Sequence, residues 1–384
     1  MPLAVSCSRL FLKPLPSVLF PSIYHSIVAC QHLQCSSTII SLHSVDGSII
    51  HVFRLLFQPF LLSEPPIRLS KSCHIYTPPK REPLSRDGLI LQTRLPITHT
   101  NTPQAVGQMR SQASMADNLK QAQSLCRKAH EAGAAALFLP EAADYLTTSG
   151  GLKLCKSVQD SEFVQGLIAS AKQYSLPISV GIHEPTDDGK KVKNTLIWIT
   201  ASGEIKYRYQ KLHLFDMDVK DGPQMQESAG VERGVHLGDP FDSPVGKLGM
   251  QICFDLRFPE PGLALRARGA EVLLYPAAFT TPTGKAGHWE ILIRARAIET
   301  QSYIIAAAQV GVHDEEGKRR SWGHSMIVDP WGKIVAELGG DEGEGGSWED
   351  EGEIACAEID VEYVRSMRND SPLKRRTDVY NELV

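Results

Sequence analysis

The chain has 384 residues, 42% of them apolar, enough for one large or two ordinary domains with a buried core. Its formal net charge of −4 gives no global reason to expect a polyanionic partner, and no one-sided stripe of Lys and Arg marks a nucleic-acid binder. Past residue 100 the cysteines Cys126, Cys155, Cys253 and Cys356 form no CxxC or CxxH pair, which argues against a disulfide scaffold or a zinc site and fits a reducing, cytoplasmic setting.

Residues 1–103 differ from the rest. They are rich in Ser, Pro, His and Leu, and Pro14, Pro16, Pro21 and Pro59 break the short apolar patches. No stretch reaches the roughly 20 apolar residues of a spanning helix, so no membrane segment is expected. The segment reads as a low-order extension ending in linker. Its first fifty residues, with the single acid Asp46 and several hydroxyls, also suit a mitochondrial presequence, although Arg9 and Lys13 are their only Lys or Arg residues.

From residue 104 to 384 the texture is that of one folded domain. Ala105–Met109 suggests a first strand, and Leu119, Ala122, Leu125 and Ala129 space a helix over Asn118–Ala132 that Gly133 ends. Further on, strands are expected at Ala134–Leu139, Ile178–Ile182, Thr195–Thr200, Ile205–Tyr209, Lys247–Cys253, Val272–Tyr275, Tyr303–Gln309, Ser325–Val328, Val335–Leu338 and Ile354–Ile359. Helices are expected at Phe163–Tyr174, Glu260–Arg268 and Trp289–Thr300. Short apolar strands interleaved with helices imply an α/β body, and hairpin-like gaps imply mixed sheets. The acidic, glycine-rich run from Gly339 to Gly352 reads as an exposed loop.

Three segments carry polar residues where buried strands are expected to end. Phe138-Leu139-Pro140-Glu141 puts a carboxylate just past an apolar strand; alone, Glu141 reads equally as a surface or capping residue. In Tyr209-Gln210-Lys211-Leu212-His213, an inward Lys211 needs an anionic partner to offset its desolvation. In Gly249–Glu260, Cys253 sits in a strand–turn–helix setting with Asp255, Arg257 and Glu260 close behind. Such a set suits acyl transfer: Glu141 as base, Cys253 as nucleophile, and Lys211 with the backbone N–H of Phe254 facing the oxyanion. His213 stays open as an alternative base, since strand alternation places it on the same face as Lys211.

At these three motifs the chain resembles the nitrilase, or carbon–nitrogen hydrolase, family, in order and spacing, over roughly Ala105 to Tyr380. The resemblance implies an αββα four-layer sandwich with mixed sheets and a homodimer or higher homo-oligomer joined through its cysteine-side helices; no cofactor and no metal are expected. It also implies a second carboxylate near the lysine loop, matched here by Glu227. Tyr275–Phe279, Gly287–Glu290, Arg294–Ala297 and Gly323–Met326 look closest to the Nit branch. That branch includes amidases for deaminated glutathione and omega-amidases for alpha-ketoglutaramate; Asp221–Ser228 and Ile304–Val310 look more like the former. A small-molecule amide is therefore the expected partner.

Both substrates carry a carboxylate and a keto group. Arg257 can clamp a carboxylate in a bidentate pair, or pair with Glu260 at a helix start. Phe254, Phe279, His288 and Trp289 are further candidates for the pocket, the aromatics being equally suited to the core. A nitrile or N-carbamoyl hydrolase using the same residues, or an idle scaffold, are the competing readings; packing alone would not require Glu141, Lys211 and Cys253 together.

Overall fold

The computed structural model describes residues 38–40, 53–55, 102–148, 150–218, 224–341 and 351–380. The expected N-terminal extension lies outside them apart from two short strands, as do Asp221–Pro223 and residues 342–350 of the acidic loop. The described residues fall into two units, divided between Gln92 and Thr93. The first holds one antiparallel pair, β1 (Thr38–Ile40) with β2 (Phe53–Leu55).

The second unit opens with β3 (Pro103–Gln108) and α1 (Met115–Glu131). α1 begins three residues earlier than the apolar spacing suggests because Ser114 caps it, its side chain accepting the Asp117 N–H. After β4 (Leu137–Phe138) come α2 (Glu162–Tyr174), capped by Ser161, then β5 (Ile178–Pro185), β6 (Val192–Ile199) and β7 (Ile205–Gln210). A hairpin of β8 (Asp216–Asp218) and β9 (Gln224–Gln226) leads to β10 (Val231–Glu232). Next are β11 (Phe241–Ser243), β12 (Gly246–Met250), a 3-10 turn at Cys253–Arg257, α3 (Pro259–Ala267), β13 (Val272–Leu274), α4 (His288–Thr300) and β14 (Tyr303–Ala306). The hairpin β15 (Val310–Val312) with β16 (Arg320–Trp322), then β17 (Met326–Val328), β18 (Ile334–Glu337), β19 (Glu353–Glu358) and α5 (Val361–Asp370) complete the unit.

Two mixed sheets result. One runs β10-β6-β5-β4-β3-β19 with β7 also on β6; the other runs β11-β12-β13-β14-β17-β18. Strand alternation sorts their side chains into three apolar layers. Ala105, Leu137, Ile178 and Ile197 face α1 and α2. Val106, Phe138, Leu196 and Trp198 face across to Leu248, Leu274, Ile305 and Ile327 of the second sheet. Leu273, Ile304 and Val328 pack on Leu265 of α3 and on Trp289, Ile293 and Ala297 of α4. The architecture is the expected αββα sandwich.

Three expected strands are shorter than their apolar runs. In Ala134–Leu139 only Leu137–Phe138 is strand, because the Ala134 N–H closes the end of α1 on Ala129 O. Tyr303–Gln309 is strand only to Ala306; beyond it Ala308 bridges Ala277, past the end of β13, and Gln309 bridges Met109, past the end of β3. Lys247–Cys253 stops at Met250, and Cys253 has φ 44° at the start of the 3-10 turn. β3, β4 and β5 run parallel, as do β12, β13 and β14. Loops leaving the carboxyl ends of such strands are where open α/β sheets place their sites.

β5 passes under the loop after β4 with almost no clearance. A Cβ built on Gly181 would lie 2.5 Å from Glu141 Cα and 2.8 Å from Pro140 O. We expect Gly181→Ala to cost about 1–3 kcal/mol in urea unfolding, as overpacking does, and to lower turnover by shifting Glu141. An unchanged midpoint and rate would show that the loop yields freely.

Candidate active site

Glu141 leaves β4 through Pro140 and is only 4% exposed. Its Oε1 accepts from Lys211 Nζ at 2.8 Å and from Asn194 Nδ2 at 2.8 Å, and its Oε2 accepts from the Ala278 N–H at 2.7 Å. Its own backbone is pinned as well. The Gln309 amide donates to Glu141 O and Ala142 O, and Ala142 takes φ 53°. The carboxylate is thus fixed from both sheets.

Lys211 follows β7 and is 2% exposed. Its ammonium also reaches Glu227 at 3.0 Å and 2.9 Å. Glu227 accepts in addition from the Phe215 N–H at 2.7 Å and from Asn194 at 3.2 Å. One ammonium between two carboxylates, each with further donors, satisfies the condition for burying charge. Burial works against the Lys211 cation, but Glu141 and Glu227 outweigh it and lift its pKa well above the ordinary value. Burial likewise opposes the Glu141 anion, yet Lys211 and the hydrogen-bond donors bring its carboxyl down to about 2.

Cys253 donates its N–H to Pro276 O at 2.9 Å, and the left-handed φ turns its side chain toward the cavity. A non-glycine residue rarely adopts this conformation, and such strain persists only where surrounding contacts hold it. Asp255 does the holding. Fully buried, it accepts the Ile252 N–H at 2.9 Å, the Tyr209 hydroxyl at 2.7 Å, and the His213 N–H and Nδ1 at 3.0 Å and 2.8 Å. Asp255 thus ties the cysteine turn to the segment that carries Lys211. His213 is committed to Asp255 and stacked on Phe258, with ring centroids 3.8 Å apart, which leaves Glu141 as the carboxylate beside the thiol. Burial, then Glu141, push the Cys253 thiol well above its ordinary pKa while Lys211 opposes them, so the resting group is a thiol.

A cavity of about 590 Å³ opens over these groups. Glu141, Lys211, Glu227, Cys253, Phe254, Arg257 and Phe279 all line it. His288 and Trp289 do not. Trp289 is 1% exposed, packs on Phe279 and donates Nε1 to His324 O, which places it in the core. His288 stands behind Arg257, its Nδ1 3.0 Å from Nη1. Arg257 lies over the Phe279 ring at 5.6 Å, and among the described residues it makes no ion pair, with Glu260 or any other carboxylate. Among the described residues no group of three or more His, Cys, Asp or Glu side chains is placed to hold a metal ion.

Comparison with known proteins agrees with this geometry. The family profile described as carbon-nitrogen hydrolase matches residues 105–369. The chain belongs to the carbon–nitrogen hydrolase family. It is 40% identical over 279 residues to "Probable hydrolase nit2" of Schizosaccharomyces pombe, covering 72% of this chain and 98% of that one. It is 40% identical over 286 residues to the Homo sapiens "Deaminated glutathione amidase", covering 73% of this chain and 84% of that one. The crystal structure of the C. elegans NitFhit protein superposes with a TM-score of 0.66 at 37% identity, over 73% of this chain and 66% of that chain. Within its family this carbon–nitrogen hydrolase is a thiol-dependent amidase of the Nit branch.

Among the polar cavity residues that the motifs did not mark are Asn194 and His183. The signal was present: each is a polar residue in an apolar strand, and Asn194 is 3% exposed. Alternation shows that such a residue faces inward, but not what it meets.

The Glu141 carboxyl makes stability pH-dependent with a definite sign. Its folded pKa of about 2 lies below the roughly 4.3 of an unfolded glutamate, so its contribution is complete above 4.3 and is lost as pH falls toward 2. Urea midpoints of the wild-type protein should therefore drop toward those of Glu141→Gln across that window. Parallel curves would contradict the assigned ionisation.

Proposed function

We propose that the protein hydrolyses a small alpha-keto acid amide, deaminated glutathione, through a thioester on Cys253. The observation that carries the reading is a buried carboxylate–ammonium–thiol set at the floor of a cavity of about 590 Å³. That volume sits well within the ~300–1,000 Å³ of sites for drug-sized ligands. It leaves room for an amide with substituents on both sides of its C–N bond. The relatives described as deaminated glutathione amidases support the same substrate. The other Nit-branch activity, an omega-amidase releasing ammonia from alpha-ketoglutaramate, needs far less of this space.

The geometry gives each residue a role. Because the resting Glu141 is ionised and the thiol is not, the proton moves only as attack proceeds. Cys253 Sγ bonds to the amide carbon while its proton passes to Glu141. The oxyanion meets the Lys211 ammonium and the Phe254 N–H, which lies in the first turn of its helix and has no intrahelical acceptor. Collapse breaks the C–N bond, and the departing amine takes the proton from Glu141. Water then attacks the thioester with Glu141 again as base, the C–S bond breaks, and the proton returns to sulfur. Glu227 and Asn194 keep Lys211 and Glu141 in register. Arg257, with Phe279 beneath it and His288 behind it, receives a substrate carboxylate. Exposed Ile291 and Ile298 on α4, 63% and 51% accessible, support the homodimer expected through the cysteine-side helices.

We expect Cys253→Ala to reduce hydrolysis of deaminated glutathione by about 10⁴-fold or more with an unchanged circular dichroism spectrum. Turnover at the wild-type rate would sink the mechanism. Run side by side, alpha-ketoglutaramate should be the poorer substrate; the reverse preference would make the protein an omega-amidase. Arg257→Lys loses the bidentate fork, so it should raise KM about tenfold at a nearly constant unfolding midpoint. An unaltered KM would remove Arg257 from the substrate site.

A further inference from the structure

We infer that His183 reads a second carboxylate of the substrate, so that the cavity is built for a dicarboxylate amide held between Arg257 and His183. This rests on the reading of the cavity as an amide-hydrolysing site and specifies which amides enter it.

His183 sits on β5 directly opposite Asn194 of β6, the residue that donates to both Glu141 and Glu227. Its ring is fixed by three contacts. The backbone N–H donates to Asp144 Oδ2 at 2.8 Å, Nδ1 donates to Asp144 Oδ1 at 2.9 Å, and one face stacks on Tyr145 at 4.4 Å. Asp144 is itself 1% exposed and accepts the Tyr145 N–H at 2.9 Å, so it cannot swing away. A buried aspartate, a stacked aromatic and a strand backbone thus orient one imidazole whose side chain, 13% exposed, lines the cavity. Nε2 meets no hydrogen-bond partner among the described residues.

The chemistry of the ring then follows from Asp144. An ionised carboxylate only accepts, so the proton facing it stays on Nδ1 in both charge states. Neutral His183 therefore shows a lone pair at Nε2, which repels a carboxylate; protonated His183 shows a charged N–H, which binds one. Burial disfavours the cation, but Asp144, Glu141 and Glu227 together raise the imidazole pKa above its ordinary value. Arg257 occupies another element, the turn after Cys253, and its guanidinium makes no ion pair among the described residues. Arg257 and His183 thus present anion-binding groups to the cavity from two different elements, the turn Cys253–Arg257 and β5; Lys190, paired with Asp188, and Arg319 also line it. Deaminated glutathione has a carboxylate on each side of its scissile amide, whereas alpha-ketoglutaramate has only one.

The test uses the full-length Cys253→Ala protein, titrated calorimetrically with deaminated glutathione and with each of its two monomethyl esters at pH 6 and pH 8. At pH 6 the diacid should bind about tenfold more tightly than one of the esters, the size of a charge-assisted hydrogen bond. That gap should narrow at pH 8 and should be absent at both values when His183→Gln is added. Glutamine keeps a donor in place but carries no charge, and a purely structural role for His183 would not move the pH dependence. The other ester, which removes the carboxylate facing Arg257, should show a gap that neither pH nor His183→Gln changes. If the gaps of both esters survive undiminished at pH 8 and in His183→Gln, or neither ester shows a gap, the inference is overturned while the amidase reading stays intact. Failure of the diacid and both esters to bind overturns the substrate reading and this inference with it. If His183→Gln does not fold, the pH dependence in the Cys253→Ala protein alone decides.

Discussion

The Lys211 ammonium lies nearly out of solvent, and the arrangement around it depends on how its charge is met. A buried cation is costly unless partners surround it, and removing one partner of such a set exposes the others to the same cost. Here the partners come from three separate segments: Glu141 after β4, Glu227 after the β8–β9 hairpin, and Asn194, which bonds to both carboxylates from β6. Glu141 also takes the Ala278 N–H from beyond β13, which carries the network into the second sheet. The two sheets are thus tied across the site by hydrogen bonds as well as by the apolar layer between them.

The cysteine turn is held by a second, complementary device. Cys253 adopts a backbone conformation that costs a non-glycine residue about 1–3 kcal/mol. Asp255, two residues on, accepts four hydrogen bonds and so offsets that cost. Two of its donors are on His213 and one on Tyr209, the residues flanking Lys211, so one aspartate sets both the cysteine turn and the approach of the ammonium. A residue of this kind lies outside the cavity lining and yet ties together two residues that line it.

In the proposed mechanism, chemistry and recognition occupy different parts of the cavity. Glu141, Lys211 and Cys253 stand on segments anchored by buried hydrogen bonds. Arg257 and His183 reach the cavity from the turn after Cys253 and from β5, each oriented by a neighbour, His288 in one case and Asp144 in the other. Such separation lets a family keep one reaction while changing the amide it accepts.

Much of this was legible in the sequence because it is local. Period-2 and period-3.6 apolar spacing marked nearly all the strands and helices of the sandwich, and three polar motifs at strand ends marked Glu141, Lys211 and Cys253. Where an apolar run continued past its strand, as at Ala306 and Met250, spacing could not show the departure, since the residues beyond stay buried. Trp289 and Phe279 are alike in sequence terms, and only packing put one in the core and the other on the cavity wall. His213 and Asp255, or His183 and Asp144, become partners through side chains that meet in space after the chain has turned. The sequence by itself therefore determined the layers and singled out Glu141, Lys211 and Cys253, which follow from apolar periodicity and residue chemistry. The tertiary structure decided which charges are paired, which backbone is strained and which imidazole lines the cavity, because these depend on contacts between residues tens of positions apart.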